Sequence, residues 1–473
     1  MAGVLKMQYV ERERPVAHEG RQLWSHRSLK LSVLIAAQVA AFWPVWRWYI
    51  QRATDGSDDP WGLAAVAIAL HFIFREKSAS EVMQRPLWLP ALLVIGYAAG
   101  YHLLSPLPRA VVAVTCLAAT ISRIRFGKRL HLGILGLLML SLPMVASLQF
   151  FLGYPLRSFA AMLAAPMLRM NGIAVTRQGT ALNWAGRLIE IDAPCSGVKM
   201  LWAGMFLTFI LVCFFRLNTK RTLLVVAFAL AAIVLGNVLR STALFYVEAG
   251  LVILPPIAHT GIGLVVFALS AMAIVWTAMQ LGKPELLAAP RRGSVAFFSP
   301  TFSCLFFFCC LAAAIAPVVS PQTNASNVTE AFPGWPAQLD GRDLKPLPLS
   351  AREERFAADF PGRIARFTDG TCEIIVRWVG RETRTLHPAS DCLKALGYAI
   401  KPLPLRVDEA GHFWSQFEAT RDADALRVSE RIYSTGGDQS WTDVSSWYWE
   451  SLLGKTEGPW WAVTVAERRE PQP

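Results

Sequence analysis

At 473 residues, with hydrophobic side chains at 54% and charged ones at 17%, the chain is far more apolar than a soluble protein of its size needs to be. The apolar residues cluster in blocks of roughly 14 to 26, the length of helix that crosses about 30 Å of hydrocarbon. The net charge of +12 does not point to nucleic acid, because Lys and Arg lie in short clusters between the blocks and not along one basic face.

In chain order, a polar arm over residues 1–30 carries Lys6, Arg12, Arg14, Arg21, Arg27 and Lys30. No short apolar core with a small-residue cleavage site follows it, so the first helix is expected to stay as an uncleaved anchor. Nine spans are expected, roughly Leu31 to Ile50, Trp61 to Phe74, Leu87 to Leu104, Ala110 to Ser122, Leu130 to Leu152, Val198 to Phe215, Thr222 to Val247, Ile257 to Leu281 and Ala296 to Val318. The second and fourth are short enough for half-spans, which leaves eight or ten open. Residues 31–318 thus read as a polytopic α-helical membrane domain whose partner is the lipid bilayer; nothing in the pattern sets an oligomeric state.

Charge gives the orientation. The loops that share a side with the N-terminus carry Arg75, Lys77 and Arg85, then Arg123, Arg125, Lys128 and Arg129, then Arg216, Lys220 and Arg221, then Lys283, Arg291 and Arg292. The opposite loops are poorer: Asp55, Asp58 and Asp59 stand against Arg52, and Glu248 to Pro256 has no Lys or Arg. The positive-inside rule then predicts a cytoplasmic N-terminus and an extracytoplasmic C-terminal tail.

The stretch from Gly153 to Pro194 reads as a loop of about forty residues. Its runs Ile173 to Thr176 and Arg187 to Ile191, separated by Gly179, Asn183 and Gly186, suit a small hairpin at the membrane surface. The second strand leads to Cys195 at the head of the sixth span.

Cys195 has a plain reading as a small buried hydrophobe. Ser196 and Gly197 follow it and a helix begins there, so unpaired backbone N–H groups and the helix dipole favour a thiolate. Arg240 interrupts the apolar run Thr222 to Val247 and is expected to be paired, to line a polar cavity, or to snorkel to the interface. Asn237, three residues earlier, shares its helical face. His259, at the outer end of the eighth span, is either an ordinary interfacial side chain or a base for the thiol. Cys116, Cys213, Cys304, Cys309 and Cys310 fall within spans and read as packing. No Cys/His cluster has zinc spacing and no Gly-rich phosphate loop follows a strand, so neither metal, nucleotide nor other cofactor is expected.

Residues 319–348 read as a Pro-rich linker and 349–473 as a small α+β domain with its own core. Ile374 to Val379, Phe413 to Thr420 and Trp461 to Ala466 suit strands, and Trp441 to Leu453 a helix. Cys372 and Cys392 are the only cysteines here, and an oxidising compartment makes a disulfide between them an open expectation.

Three strings, Glu190 to Lys199 around Cys195, Asn237-Val238-Leu239-Arg240, and Pro256-Ile257-Ala258-His259-Thr260-Gly261, resemble the exosortase/archaeosortase family over a core of residues 130–281. The resemblance implies an inner-membrane cysteine transpeptidase or protease. Its partners would be membrane-anchored proteins with a C-terminal sorting signal of the PEP-CTERM type, linked to exopolysaccharide production. It implies Cys195 as nucleophile, His259 as acid/base partner and Arg240 as stabiliser of the reacting carbonyl. The segment Leu386 to Tyr398 also resembles the His-Pro and Cys pattern of exosortase-associated periplasmic domains, which leaves His387 with Cys392 either a second site or a stapled loop. Two non-enzymatic readings remain beside this one: a membrane scaffold, and a component of polysaccharide export.

Overall fold

The computed structural model describes residues 33–54, 60–75, 88–126, 128–191, 196–255, 257–282, 300–319, 332–358, 360–422 and 424–469. The N-terminal arm and Cys195 lie outside these residues.

Eleven helices occupy the described membrane-type region: α1 (Val33–Ala41), α2 (Trp43–Thr54), α3 (Trp61–Arg75), α4 (Trp88–Ala99), α5 (Pro106–Phe126), α6 (Leu132–Leu140), α7 (Val145–Met170), α8 (Val198–Phe214), α9 (Thr219–Glu248), α10 (Ile257–Leu281) and α11 (Pro300–Ile315). They do not make nine spans. Four, α5, α7, α9 and α10, have the length and apolarity to cross a membrane, and the pair α1 and α2, bent by 67°, is a fifth if taken as one. The others fall short of the roughly 20 residues a crossing needs.

The expected span Leu130 to Leu152 is broken. Pro143 supplies no N–H and disfavours helix at Leu142, so α6 stops at Leu140 and α7 begins at Val145. The first part of the expected loop after Gly153 is therefore helix, to Met170. The rest forms three short antiparallel strands rather than two, β1 (Thr176–Gln178), β2 (Ala181–Trp184) and β3 (Arg187–Glu190). Leu182, Ile189 and Ile191 pack with Ala161, Ala164 and Leu168 of α7 and Val238 and Phe245 of α9.

Two packed units divide the chain. In the first, containing α1, α4, α5 and α11, the buried Gln38 amide donates to Thr120 Oγ1 at 2.8 Å and Phe42 meets Tyr97 edge-on at 4.8 Å. The second contains α3, α6 to α10 and the chain after residue 321. On α10, Leu264, Val265, Leu269, Met272, Trp276 and Met279 are all exposed, the outward apolar surface that a helix facing lipid carries.

The C-terminal part is rich in sheet. Its strands are β4 (Gln338–Leu339), β5 (Arg342–Asp343), β6 (Lys345–Leu347), β7 (Gly362–Thr368), β8 (Cys372–Val379), β9 (Ala399–Val407), β10 (Phe413–Arg421), β11 (Asp424–Ser434), β12 (Ser440–Trp441) and β13 (Trp460–Arg469). An antiparallel sheet runs β6-β7-β8-β13-β11-β10-β9, with β12 beside β11. Strands thus reach into the stretch read as linker, where Phe332 and Trp335 also pack against the sheet. Three helices join the sheet: α12 (Ala351–Ala358), α13 (Ala389–Lys394) and α14 (Val444–Leu452).

Alternation along β8 and β13 makes two faces. One buries Cys372, Ile374, Val376, Trp378, Trp461 and Val463. The other buries Val379, Trp460 and Ala462 under Val444 and Trp447 of α14 and Phe150 of α7.

Candidate functional site

The site forms where α8, α9 and α10 meet. Small residues let these helices approach: a Cβ on Gly204 of α8 would stand 2.4 Å from Ile233 Cδ1, and one on Gly236 of α9 would stand 2.5 Å from Ser270 Oγ of α10. Ser270 also donates to the Ala232 carbonyl across the α9–α10 contact at 3.4 Å.

Arg240 points from α9 at α10. A Cβ on Gly263 would stand 3.2 Å from its Nε, which is buried and has no hydrogen-bond partner among the described residues. The side chain as a whole is half-buried, with Nε on its buried side. Gly263 lies four residues after His259, one turn along the same face of α10. His259 is partly buried in the first turn of that helix.

Asn237, buried one turn before Arg240, meets the head of α8. Gly197 caps this helix in the left-handed conformation, φ +83°, and a Cβ there would stand 2.7 Å from Asn237 Cγ. Ser196 is buried beside it; its hydroxyl donates to Gln149 Oε1 of α7 at 2.8 Å and accepts from the Val198 N–H at 3.4 Å. A small cleft runs between α7, the head of α8 and α9, with Leu156, Phe159 and Val234 as apolar walls and Ser196 and Asn237 as the polar corner.

The structure thus brings Ser196 and Gly197 to Asn237, while Arg240, one turn further along α9, lies against Gly263 on the helix that carries His259. Cys195 itself falls outside the described residues. Sequence reasoning missed Gln149 and Gly263, though Gly263 carried a readable signal, a glycine one helical turn from the flagged histidine. It also missed Arg157 of α7, a buried cation in a stretch read as loop.

Cys372 and Cys392 form no disulfide. Cys372 is buried on one face of the sheet. Arg377 points to the other, where its Nη1 meets Thr464 Oγ1 at 3.1 Å, Thr464 meets Glu430, and Glu430 takes the N–H of Ala389 in α13. The sheet therefore stands between Cys372 and the helix that carries Cys392. Cys392 Sγ lies 2.9 Å from His387 Nε2, and His387 Nδ1 lies 2.8 Å from the Thr385 carbonyl. With its proton on Nδ1 toward that carbonyl, the ring offers Nε2 to the thiol as an acceptor. Burial, and then Arg377, push the His387 pKa down against the pull of the Thr385 carbonyl and Asp391, which favours the neutral ring. In iodoacetamide labelling of the full chain at pH 7, Cys392 is expected to react faster than in a His387→Ala variant, read by peptide mass. Equal rates would show that the contact is packing only.

Among the described residues no group of three His, Cys, Asp or Glu side chains is arranged to hold a metal ion. The family model for transmembrane exosortases matches residues 24–276, more than half of the chain and all three motifs. No curated protein and no solved structure matches.

Proposed function

The chain belongs to the transmembrane exosortase family, and on that footing we propose that it is a membrane cysteine transpeptidase or protease that cuts exported proteins at a C-terminal sorting signal of the PEP-CTERM type. The observation that carries the reading is the convergence of three sequence-distant motifs: Gly197 pressed on Asn237, and Arg240 laid against the His259 face of α10.

The chemistry follows from the residue types. The Cys195 thiolate attacks the peptide carbonyl beside the substrate's own anchor helix, forming a carbon–sulfur bond as the carbonyl electrons move to oxygen. The Arg240 guanidinium and the N–H groups at the start of α8 face that developing charge. The carbon–nitrogen bond breaks as His259 protonates the leaving amine, and the thioester passes to an acceptor amine or to water. Substrate and enzyme share one membrane, which supplies proximity before any contact is made. In this reading the N-terminus is cytoplasmic, and the catalytic edge and sheet domain lie outside the bacterial inner membrane.

The test is co-expression with a substrate bearing a sorting signal, an apolar helix and a basic tail, followed by immunoblot and intact mass. Wild type is expected to remove the tail and Cys195→Ala to leave it. The product mass separates transfer from hydrolysis. Equal processing by Cys195→Ala returns the chain to the scaffold reading.

A further inference from the structure

Pro155 sits inside α7 and has no N–H for the Phe151 carbonyl four residues back. That carbonyl is not left bare: the indole N–H of Trp449, on α14, donates to it at 2.8 Å. One residue earlier a hydroxyl joins the same turn. Ser445 Oγ donates to the Phe150 carbonyl and accepts the Tyr154 N–H at 3.3 Å, engaging both members of an i, i+4 backbone pair. Tyr154 reaches Glu450 at 3.2 Å, and Tyr448 packs on the Phe150 ring at 5.0 Å. The sheet domain is thus fitted to the turn of α7 in which Pro155 releases a carbonyl; the second internal proline, Pro166, lies three turns further on.

One turn further along α7, Arg157 is almost completely buried, at 2% exposure. Its Nη2 pairs with Asp443 Oδ2 at 2.7 Å, and Asp443 also caps α14 by accepting the Ser446 N–H at 2.8 Å. The other guanidinium nitrogens donate to the Gly153 carbonyl at 3.3 Å and the Ile191 carbonyl at 3.4 Å. Ile191 is the last described residue before the segment 192–195. At the segment's other end Ser196 is held by Gln149, again on α7. Both anchors of the short stretch that ends in Cys195 therefore stand on one helix, and one of them is set by the C-terminal domain.

We propose that the C-terminal domain is a positioning element for the nucleophile, acting through Asp443 and Arg157 on the Ile191 anchor. A buried guanidinium that makes these three contacts is a sensitive point of control: the planar fork reaches a carboxylate and two carbonyls together, which an ammonium does not. Removing the Asp443 charge takes away the contact that fixes Nη2 at 2.7 Å and so loosens the placement of the group that donates to Ile191.

The inference deepens the cysteine-enzyme reading, and its test separates the two. Full-length wild type, Asp443→Asn, Arg157→Lys and Trp449→Phe are compared in membranes for two quantities: the rate of Cys195 alkylation by iodoacetamide, read by peptide mass, and the processing of a co-expressed substrate. Asparagine caps a helix as well as aspartate does, so Asp443→Asn removes the charge while keeping α14. Asp443→Asn and Arg157→Lys are expected to change Cys195 alkylation several-fold and to slow processing by roughly 10- to 100-fold, the scale of an ångström-sized misplacement. Trp449→Phe keeps the ring and loses the indole N–H, and is expected to move both quantities the same way by less. Wild-type alkylation of Cys195 in both charge variants overturns the positioning role, whatever the substrate does. Altered alkylation in a protein whose wild type processes nothing keeps the positioning role and sinks the enzyme reading.

Discussion

Replacing Arg240 with alanine is expected to lower processing by about 100- to 1,000-fold while the protein stays in the membrane, the scale seen when one oxyanion donor is removed. The side chain rises from an apolar stretch of α9, and its buried Nε has no hydrogen-bond partner among the described residues. A cation held without its full set of acceptors is a poor structural element and a good receiver for negative charge that develops elsewhere. Arg240→Lys is expected to lose most of the same activity, because an ammonium is a point charge without the fork that spans a carbonyl oxygen and its neighbours. Steady-state kinetics of purified enzyme on a soluble signal peptide would check this. Loss confined to KM, with kcat intact, would make Arg240 a binding residue instead.

Gly197→Ala is expected to cost roughly 100-fold in processing, the penalty for moving a reacting group by about an ångström. Two independent effects act on this position. The left-handed backbone, φ +83°, costs a non-glycine residue about 1–2 kcal/mol. The added methyl would also lie 2.7 Å from Asn237 Cγ, so the head of α8 or the Asn237 side chain must shift. The two are separable: Gly197→Ala with Asn237→Ala relieves the contact and keeps the backbone cost. If the double variant recovers activity beyond Asn237→Ala alone predicts by simple addition, the contact dominates. If it does not, the backbone conformation is what α8 needs. Wild-type processing by Gly197→Ala would remove the head of α8 from the site.

Much of this arrangement was legible in the sequence because its signals are local. Gly197 directly before an apolar run marks a helix start. Asn237 and Arg240 interrupt an apolar stretch at helical spacing, and the observed α9 buries Asn237 and lays Arg240 against Gly263 of α10. Strand runs at 374–379, 413–420 and 461–466 fall inside β8, β10 and β13.

What could not be read has a common physical cause, partners distant in sequence. Pro155 argues for a chain break, yet α7 continues through it, with Trp449 donating to the Phe151 carbonyl it releases and Ser445 engaging the neighbouring pair. Arg157 looks like a loop cation until Asp443 is found beside it. Cys372 and Cys392 look like a pair by count, and only the alternation of β8 shows that they belong to opposite faces of one sheet. The expected nine spans are not confirmed for the opposite reason: hydropathy registers apolar blocks, but among the described residues α3, α4, α8 and α11 are shorter than a full crossing.

The filled break in α7 also carries an order of events. Its bonds join residues 295 and 298 positions apart, Ser445 to Phe150 and Trp449 to Phe151. A ribosome that adds about 5–20 residues each second needs roughly 15 to 60 s to cover that distance. For that interval the turn around Pro155 has been synthesised and its carbonyls have no indole or hydroxyl to receive. Other partners must take them until residues 445–449 are made, so α7 completes its hydrogen bonding only after Trp449 has been added.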